Sequence, residues 1–328
     1  MGEIIAIKDL QTCYVDQGNP IAAVDRVSLT LNAGETVAVV GESGCGKSTL
    51  AKSIIRLHNE SYTRITEGSI CFEGRDLLTL TESELRQIRG NQITMIFQNP
   101  LSALDPLFTI RQQMSEMFEF HGIKLKPKER DAFLTELLKK VQISSPKERL
   151  SAYPHQLSGG MQQRILIAMA IVLKPRLIIA DEPTTALDVT TQAQILYLLH
   201  CLQQELQSGM LLITHDLGIV SQYSDRVCVM YAGVVMEEAA TEKIFADPAH
   251  PYTQALLKVA MSLPYSTGEL YSIPGSVRKF RGPVQQCRFC ERCAKALPRC
   301  REEEPPLFKL ADGSKVRCWL YERETAND

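Results

Sequence analysis

A glycine-rich segment at residues 41–48 has the residue types and spacing of a phosphate-binding loop. Gly41-Glu-Ser-Gly-Cys-Gly-Lys-Ser48 matches the pattern G-x-x-x-x-G-K-[ST] and directly follows an apolar run at 35–40. Glycines let backbone N–H groups turn towards a β-phosphate, and a helix that begins near Lys47 points its positive end at the same anion. We expect Lys47 to neutralise β- and γ-oxygens and Ser48 to offer its hydroxyl to Mg²⁺. The alternative is a glycine turn that merely precedes a helix.

Two adjacent carboxylates and one histidine follow other apolar runs. Asp181 and Glu182 come directly after the run at 177–180, and His215 follows the run at 211–214. We expect Asp181 to hold Mg²⁺ directly or through water, and Glu182 to polarise an attacking water. The alternatives are a solvated turn for the acid pair and an ordinary surface position for His215. The phosphate-binding loop upstream favours the catalytic interpretation, with His215 in contact with the γ-phosphate.

A second glycine-rich segment opens a helical pattern at residues 157–164. In Leu157-Ser-Gly-Gly-Met-Gln-Gln-Arg164, Ser158-Gly-Gly is placed to begin a helix whose N-terminus can receive a phosphate. One chain therefore has two phosphate-accepting helix ends but one complete nucleotide site. The alternative is a capped structural helix. The segment closely resembles the signature motif of ATP-binding-cassette (ABC) proteins.

That resemblance implies an ATPase that works as a head-to-tail dimer, in which the signature helix of one subunit closes on the γ-phosphate held by the other. Gln98 is similar to the family's Q-loop glutamine, which touches Mg²⁺ and faces the transmembrane partner. Asp188 is similar to the D-loop aspartate, which bridges the dimer. Tyr14 lies at the spacing of the aromatic residue that stacks on adenine, although a core position would explain it as well.

The resemblance thereby assigns a full set of positions to the nucleotide site. The implied catalytic residues are Glu182, His215, Gln98 and Lys47. The implied contacts to ATP and Mg²⁺ within the chain are Tyr14, Gly41, Glu42, Ser43, Gly44, Cys45, Gly46, Lys47, Ser48, Thr49, Gln98 and Asp181. The implied contacts to the ATP of the partner chain are Ser158, Gly159, Gly160 and Asp188.

Four longer segments narrow the resemblance to the oligopeptide/dipeptide importer subfamily, whose members also carry nickel, metal chelates, haem or antimicrobial peptides. These segments begin at Val40, Tyr153, Ala180 and His250, and the closest fit is the longer of the subfamily's two paired ATPase subunits. The resemblance implies a related second ATPase chain, two transmembrane permeases and a substrate-binding protein on the far side. It implies a peripheral location on the cytoplasmic face of the bacterial inner membrane. Within the loop at 99–106, Asn99 and Asp105 depart from the subfamily's usual pattern, which bears on partner identity.

Five of the ten cysteines lie near the C-terminus. Cys287, Cys293, Cys300 and Cys318 resemble the subfamily's C-terminal pattern, which is associated with a [4Fe–4S] cluster. Four thiolates suit an iron–sulfur cluster or Zn²⁺ equally well, but the spacing is unlike paired C-x2-C zinc sites. Cys290 is a possible substitute ligand. A third alternative is a set of reduced thiols with no metal.

Alternating apolar runs and helical patterns must position these residues. The runs at 35–40, 176–180 and 210–214 predict buried parallel strands, and those at 227–231 and 234–238 predict a hairpin. Together with the resemblance they predict an α/β fold, a P-loop NTPase RecA-like core with an antiparallel β subdomain. An inserted helical subdomain is expected at about 101–165 because amphipathic patterns such as 129–141 occur there. We expect a nucleotide-binding domain over 1–245 and a Cys-rich C-terminal extension over 246–328.

Composition and hydropathy limit the other function classes. The net charge of −2 gives no reason to expect nucleic acid as the main ligand, and the first residues have no secretion-signal pattern. The longest apolar stretch, 165–173, is too short to cross a bilayer, so we expect a soluble chain whose membrane role comes through partners. One alternative is a soluble non-transport ABC ATPase that acts on ribosomes or DNA and has a metal-sensing tail. Another makes the tail a redox or iron-sensing module that uses ATP for regulation.

Overall fold

The structure is a computed structural model that describes residues 2–16, 19–98, 103–185, 187–262, 272–278, 280–282 and 284–322. Two sequence features fall outside these residues: the first part of the loop at 99–106, including Asn99, and Ala186 at the start of the D-loop.

The described strands alternate with helices along the chain. The strands are β1 (Glu3–Asp16), β2 (Asn19–Asn32), β3 (Thr36–Val40), β4 (Thr63–Phe72), β5 (Arg75–Asp76), β6 (Ile93–Ile96), β7 (Leu177–Asp181), β8 (Gly209–Ile213), β9 (Arg226–Tyr231), β10 (Val234–Ala240), β11 (Phe308–Lys309) and β12 (Lys315–Val316). The α-helices are α1 (Lys47–Ile54), α2 (Glu82–Ile88), α3 (Ile110–Phe120), α4 (Pro127–Lys140), α5 (Pro146–Arg149), α6 (Gly159–Ile171), α7 (Val189–Leu206), α8 (Leu217–Tyr223), α9 (Thr241–Ala246) and α10 (Pro251–Ser262).

The chain forms two compact units. Unit 1 comprises Met1–Ile4, Asn32–Gly34 and Leu80–Leu211, and unit 2 comprises Ile5–Leu31, Glu35–Thr79 and Leu212–Asp328. The described part of the C-terminal extension therefore packs in the same unit as the phosphate-binding loop. The predicted boundary at 245–246 separates a nucleotide-binding domain from a C-terminal extension, which is not how the two compact units divide the chain, and it stays a prediction.

Unit 2 contains parallel and antiparallel strand pairs. β3, which is buried along its whole length, pairs parallel with β9, and β9 pairs antiparallel with β10. β10 pairs antiparallel with β12, and β12 with β11, so two short strands of the tail extend this part of the sheet. The strand at 35–40 and the hairpin at 227–238 were predicted from the sequence and are confirmed.

The N-terminal strands of unit 2 form a separate four-stranded sheet in the order β2-β1-β4-β5. β1 pairs antiparallel with β4, and β4 pairs antiparallel with β5. This sheet is the antiparallel β subdomain that the family resemblance implied. It carries Tyr14 near the end of β1.

Unit 1 contains the helical insert and the parallel pair β6 and β7, with Ile93 opposite Leu177 and Ile96 opposite Ala180. The helix predicted at 129–141 is present as α4, which begins at Pro127 because proline suits the first turn. α3 begins at a capping box formed by Thr109 and Gln112. In the part of the chain that the structure describes, no helix is both long and apolar enough to span a membrane.

Candidate active site

The phosphate-binding loop of unit 2 connects β3 to α1 and is pressed against neighbouring backbone. Gly41 and Gly46 have φ values of 150° and 111°. A Cβ atom on Gly41 would lie 2.2 Å from the Met230 carbonyl oxygen, and one on Gly46 would lie 2.2 Å from the Ala23 carbonyl oxygen. Both positions therefore require glycine for conformation and for space.

Lys47 is the first residue of α1 and its side chain turns back over the loop. Its Nζ donates to the Gly41 carbonyl at 2.8 Å and to the Glu42 carbonyl at 3.2 Å, and it lies 3.8 Å from Cys45 Sγ. The residue is 6% exposed. Because Gly46 at the N-cap has no side chain, no side chain caps this helix start. The ammonium group and the helix N-terminus thus adjoin the same loop, as an anion site needs.

Tyr14 of unit 2 lies beside this helix. Its phenol oxygen is 3.0 Å from Thr49 Oγ1, so two predicted ATP-site residues contact each other. The ring is half-buried. Tyr14 is accordingly positioned by α1, while its predicted stacking on adenine stays a prediction.

The predicted acid pair lies at the end of β7 in unit 1. Asp181 is the last residue of the strand and is buried, and Glu182 has a φ of 46°. A glutamate in the left-handed region is uncommon and carries strain of a kind that concentrates at functional sites. Glu182 Oε2 accepts hydrogen bonds from Gln98 Nε2 at 2.7 Å and from Thr185 Oγ1 at 2.9 Å. The structure therefore brings together Gln98 and Glu182, which the sequence places 84 residues apart.

The second glycine-rich helix start is also in unit 1. Ser158 is the N-cap of α6, and its hydroxyl accepts from the Met161 N–H at 3.3 Å. A Cβ on Gly160 would lie 2.8 Å from Cγ2 of Thr191 in α7. Gly160 therefore also allows two helices to pack closely, a role that the motif alone did not predict.

Asp188 begins the neighbouring helix. It is the N-cap of α7, and its Oδ1 accepts from the Thr191 N–H at 2.9 Å. Hydrogen bonds from Thr191 hold the pKa of the Asp188 carboxyl below its usual value. The two predicted trans-acting segments thus meet at Thr191.

His215 follows β8 in unit 2, and its side chain is exposed. The preceding Thr214 donates its N–H to the Val39 carbonyl of β3 at 3.3 Å. The following Asp216 caps α8 by accepting from the Gly218 N–H at 2.8 Å. Hydrogen bonds of both neighbouring residues therefore fix the chain around His215, while the contact of His215 with a γ-phosphate stays a prediction.

Sequence reasoning missed two residues that contact the phosphate-binding loop from the C-terminal extension. Arg292 pairs with the Glu42 carboxylate, with Nη1–Oε2 at 2.7 Å and Nη2–Oε1 at 3.0 Å. The Tyr252 hydroxyl accepts from the Glu42 N–H at 3.0 Å. The pairs are 250 and 210 residues apart, so no local spacing predicts them. The available signals were an arginine between two cysteines and a tyrosine in the segment that begins at His250.

The C-terminal cysteines of the described chain are not gathered into one cluster of metal-ligating side chains. Within the described ranges, no group of three or more His, Cys, Asp or Glu side chains is arranged to hold a metal ion. The thiols pack in apolar surroundings instead: Cys287, Cys290 and Cys300 lie in a cluster with Phe289, whereas Cys318 lies in a second cluster. Cys293 packs at the edge of the first cluster.

The same thiols nevertheless influence one another electrostatically. Burial, reinforced by neighbouring cysteines, raises the pKa of Cys287 to about 12 and that of Cys318 to about 11. Thiols with raised pKa values are mostly protonated at neutral pH and are poor ligands in that state. All five cysteines are free of disulfides.

The chain is similar to known proteins over nearly its whole length. The family model described as ABC transporter matches residues 24–185, and the model described as oligopeptide/dipeptide transporter, C-terminal region, matches residues 236–300. The oligopeptide transport ATP-binding protein AppD of Bacillus subtilis is 45% identical over 329 residues, which cover 99% of each chain. The dipeptide transport ATP-binding protein DppD of the same organism is 43% identical and covers 98% of this chain and 96% of its own length.

Solved structures show the same fold. The dimeric ATP-binding cassette MJ0796, bound to ADP and Pi after hydrolysis, superposes with a TM-score of 0.65 at 31% identity over 72% of this chain and 98% of its own. CbiO1 from Clostridium perfringens, part of the transporter complex cbiONQ, gives a TM-score of 0.63 at 28% identity over 75% of this chain and 92% of its own.

Proposed function

Since this chain belongs to the ABC transporter family and is one of its ATPases, we propose that it powers the import of peptides or related small solutes across a membrane. The observation that carries the proposal is the match of a peptide-transporter C-terminal region at 236–300, behind an ABC cassette at 24–185. Two peptide-transport relatives align over at least 96% of their own length. Other solutes of the subfamily, namely haem, nickel and metal chelates, are alternative cargo.

ATP binding is assigned to the residues of the predicted nucleotide site. The backbone of the 41–49 loop and Lys47 would hold the phosphates, and Ser48 and Asp181 would hold Mg²⁺. Tyr14 would stack on adenine while its hydroxyl stays on Thr49. Two observations support this assignment. Gly41 and Gly46 leave no space for a side chain, and the Lys47 side chain lies over the same loop.

Hydrolysis is assigned to Glu182 with Gln98 and His215. Glu182 would orient the attacking water, and the hydrogen bonds from Gln98 and Thr185 fix its carboxylate before the reaction. His215 would contact the γ-phosphate. Phosphoryl transfer depends mostly on positioning and electrostatics, so a fixed carboxylate is the property that matters.

The second half of the nucleotide pocket comes from a partner chain. We assign Ser158, Gly159, Gly160 and Asp188 to the ATP of that partner, because a helix N-terminus complements a phosphate. The partner would be a related ATPase chain, as in the subfamily. The similar cassette MJ0796 is dimeric and bound to ADP and Pi, which supports the arrangement.

The remaining partners follow from the same proposal. Two transmembrane permeases and a substrate-binding protein on the far side would complete the importer. The chain would then lie peripherally on the cytoplasmic face of a bacterial inner membrane. We keep residues 1–245 as the nucleotide-binding domain, with its helical subdomain at about 101–165, and 246–328 as the extension.

Transport into vesicles tests the proposed function. The chain would be co-expressed with its permeases and partner ATPase, and uptake of labelled dipeptides and oligopeptides would be measured with and without ATP. ATP-dependent uptake that disappears with Glu182→Gln supports the proposal. Purification with ribosomes and without hydrophobic subunits would instead identify a soluble non-transport ABC ATPase.

An iron–sulfur cluster at Cys287, Cys293, Cys300 and Cys318, with Cys290 as a substitute ligand, is a separate proposal. Its support is the thiol donor set and the resemblance of these positions to the subfamily's C-terminal cysteine pattern. If present, the cluster would cross-link the tail. Four irons and four sulfides per anaerobically purified chain are expected, and a metal-free or zinc-loaded chain would contradict the proposal.

A further inference from the structure

The Cys-rich segment at 287–293 inserts two buried arginines into unit 2. The side chain of Arg288 is 1% exposed, and it pairs with Asp25 and with Glu304 and donates to the Ala232 carbonyl at 2.6 Å. Arg292 follows on the other side of Cys290, and its side chain is 6% exposed. Both side chains are therefore fixed inside the protein.

All three nitrogens of the Arg292 guanidinium group donate hydrogen bonds, and two of them hold Glu42. Besides the two-point contact with the carboxylate, Nε donates to the Pro274 carbonyl at 2.7 Å. Nη1 also donates to the Tyr231 hydroxyl at 3.2 Å, and Nη2 to the Ile273 carbonyl at 3.3 Å. A planar guanidinium suits this arrangement, whereas a lysine ammonium cannot make both carboxylate contacts in the same plane.

Glu42 presents an electrostatic conflict. It is the second residue of a loop whose chemistry is to receive polyphosphate, and its negative charge repels such a ligand. Arg292 neutralises that charge and directs the carboxylate towards the tail. Tyr252, which also lies beyond residue 245, holds the backbone N–H of the same residue.

The loop is also supported from behind by the turn between β9 and β10. Gly233 donates its N–H to the Cys45 carbonyl at 2.9 Å, and its own carbonyl accepts from Asp25 N–H at 2.8 Å. Asp25 in turn pairs with Arg288. Both tail arginines thus reach the support of the phosphate-binding loop, and only Arg292 reaches the loop itself.

We propose that Arg292 is a positioning residue for ATP binding, which neutralises and orients Glu42 so that docking of the Cys-rich tail sets the ATP affinity of the phosphate-binding loop. This inference rests on the proposed ATP binding by that loop. It gives the tail a function that needs no electron transfer. It also explains why a segment after residue 245 packs in the unit that carries the loop.

The test measures the Kd of the full chain for a fluorescent ATP analogue. Arg292→Gln should weaken binding about fivefold, the effect of one uncompensated charge near the phosphates in a partly screened site. The loss should shrink as salt rises, because screening reduces it. Arg292→Lys should retain most of the affinity, since it keeps the charge.

A double variant distinguishes an electrostatic effect of Arg292→Gln on ATP binding from a loss of folded structure. Arg292→Gln combined with Glu42→Gln should restore the Kd to within about twofold of wild type, because the repelling charge is removed as well. Glu42→Gln alone should tighten binding, since Arg292 then lacks its counter-charge. Arg278→Gln is the matched control: this tail arginine pairs with Glu291 at 2.7 Å on an exposed surface and should bind as wild type.

Three results would overturn the inference. These are wild-type affinity in Arg292→Gln, failure of the double variant to recover, and weaker binding by Glu42→Gln alone. Weaker ATP binding by Glu42→Gln would overturn the inference even if the Arg292→Gln variant does not fold. Binding by the wild type no better than that of Lys47→Ala would overturn the proposed ATP site and this inference together.

Discussion

The helices α1 and α6 both begin at glycine-rich motifs, yet their first turns are built differently. α1 follows Gly46, which has no capping side chain, and starts with Lys47. α6 follows Ser158, whose hydroxyl already accepts one of the first N–H groups. The first turn of α6, Gly159-Gly-Met-Gln162, also has no cation. From this difference we expect α1 to hold a polyphosphate by itself and α6 to complete a site in which phosphate is already bound.

Glu182→Gln is the strongest way to separate binding from hydrolysis in this comparison. The substitution should leave ATP binding at α1 intact and lower turnover of the assembled complex by roughly 10²- to 10⁴-fold, the usual loss of a general base. ATP affinity and steady-state phosphate release would be measured on the same preparation. More than a tenth of wild-type turnover would contradict the assignment of Glu182.

Gly46→Ala and Gly160→Ala compare the two helix starts directly. Alanine at Gly46 meets a carbonyl 2.2 Å away, so ATP binding by the isolated chain should fall on the order of a hundredfold. Alanine at Gly160 meets the Thr191 side-chain methyl at 2.8 Å, so it should disturb the packing of α6 on α7 and lower hydrolysis in the assembled complex, while ATP binding by the isolated chain stays close to that of the wild type. Isothermal titration of the isolated chain checks both. A loss of ATP binding with Gly160→Ala equal to that with Gly46→Ala would remove the distinction.

Ser158→Ala tests the cap that distinguishes α6. Loss of the hydrogen bond to the Met161 N–H should lower the free energy of unfolding by about 1 kcal/mol. Urea unfolding measures the change, and Thr109→Ala, at the cap of α3, is the matched control of similar cost. An unchanged unfolding midpoint in Ser158→Ala would show that the cap does not stabilise α6.

The smallest expected effect is the pH dependence of the Asp188 cap. Its folded-state pKa lies below the ordinary carboxyl value of 3.8. Its charged form is therefore stabilising above that value, and the contribution disappears as pH falls through the lower folded-state pKa. The stability difference between wild type and Asp188→Asn should be constant from pH 5 to 7 and shrink below about pH 4. A stability difference between wild type and Asp188→Asn that grows as the pH falls would contradict this prediction.

Local patterns predicted much of the fold, but they did not predict the contacts that join distant residues at the candidate site. β3, β7 and β8 and the starts of α1 and α6 could be predicted because buried runs, glycines and caps act over a few residues. The bond between Gln98 and Glu182 could not, because it depends on the parallel pairing of β6 and β7. Sequence spacing also could not place Tyr14 on Thr49.

In the C-terminal region, local sequence patterns did not predict how the side chains are arranged. The cysteine spacing predicted a metal site, but the structure distributes these thiols between two apolar clusters, and within the described residues it forms no single-ion site. One contact that links the tail to the phosphate-binding loop, Arg292 with Glu42, joins residues 250 positions apart. Folding brings such pairs together through the packing of several intervening elements, which no local pattern encodes.

The different roles of the two helix starts are tested most directly by comparing ATP turnover per chain in the monomer and in the assembled complex. The chain would be separated into monomeric and assembled fractions, and both ATP binding and phosphate release would be measured in each. We expect the monomer to bind ATP at the Lys47 loop but to release almost no phosphate until a partner supplies its Ser158 helix. A strictly monomeric chain that hydrolyses ATP at the assembled rate would contradict this expectation.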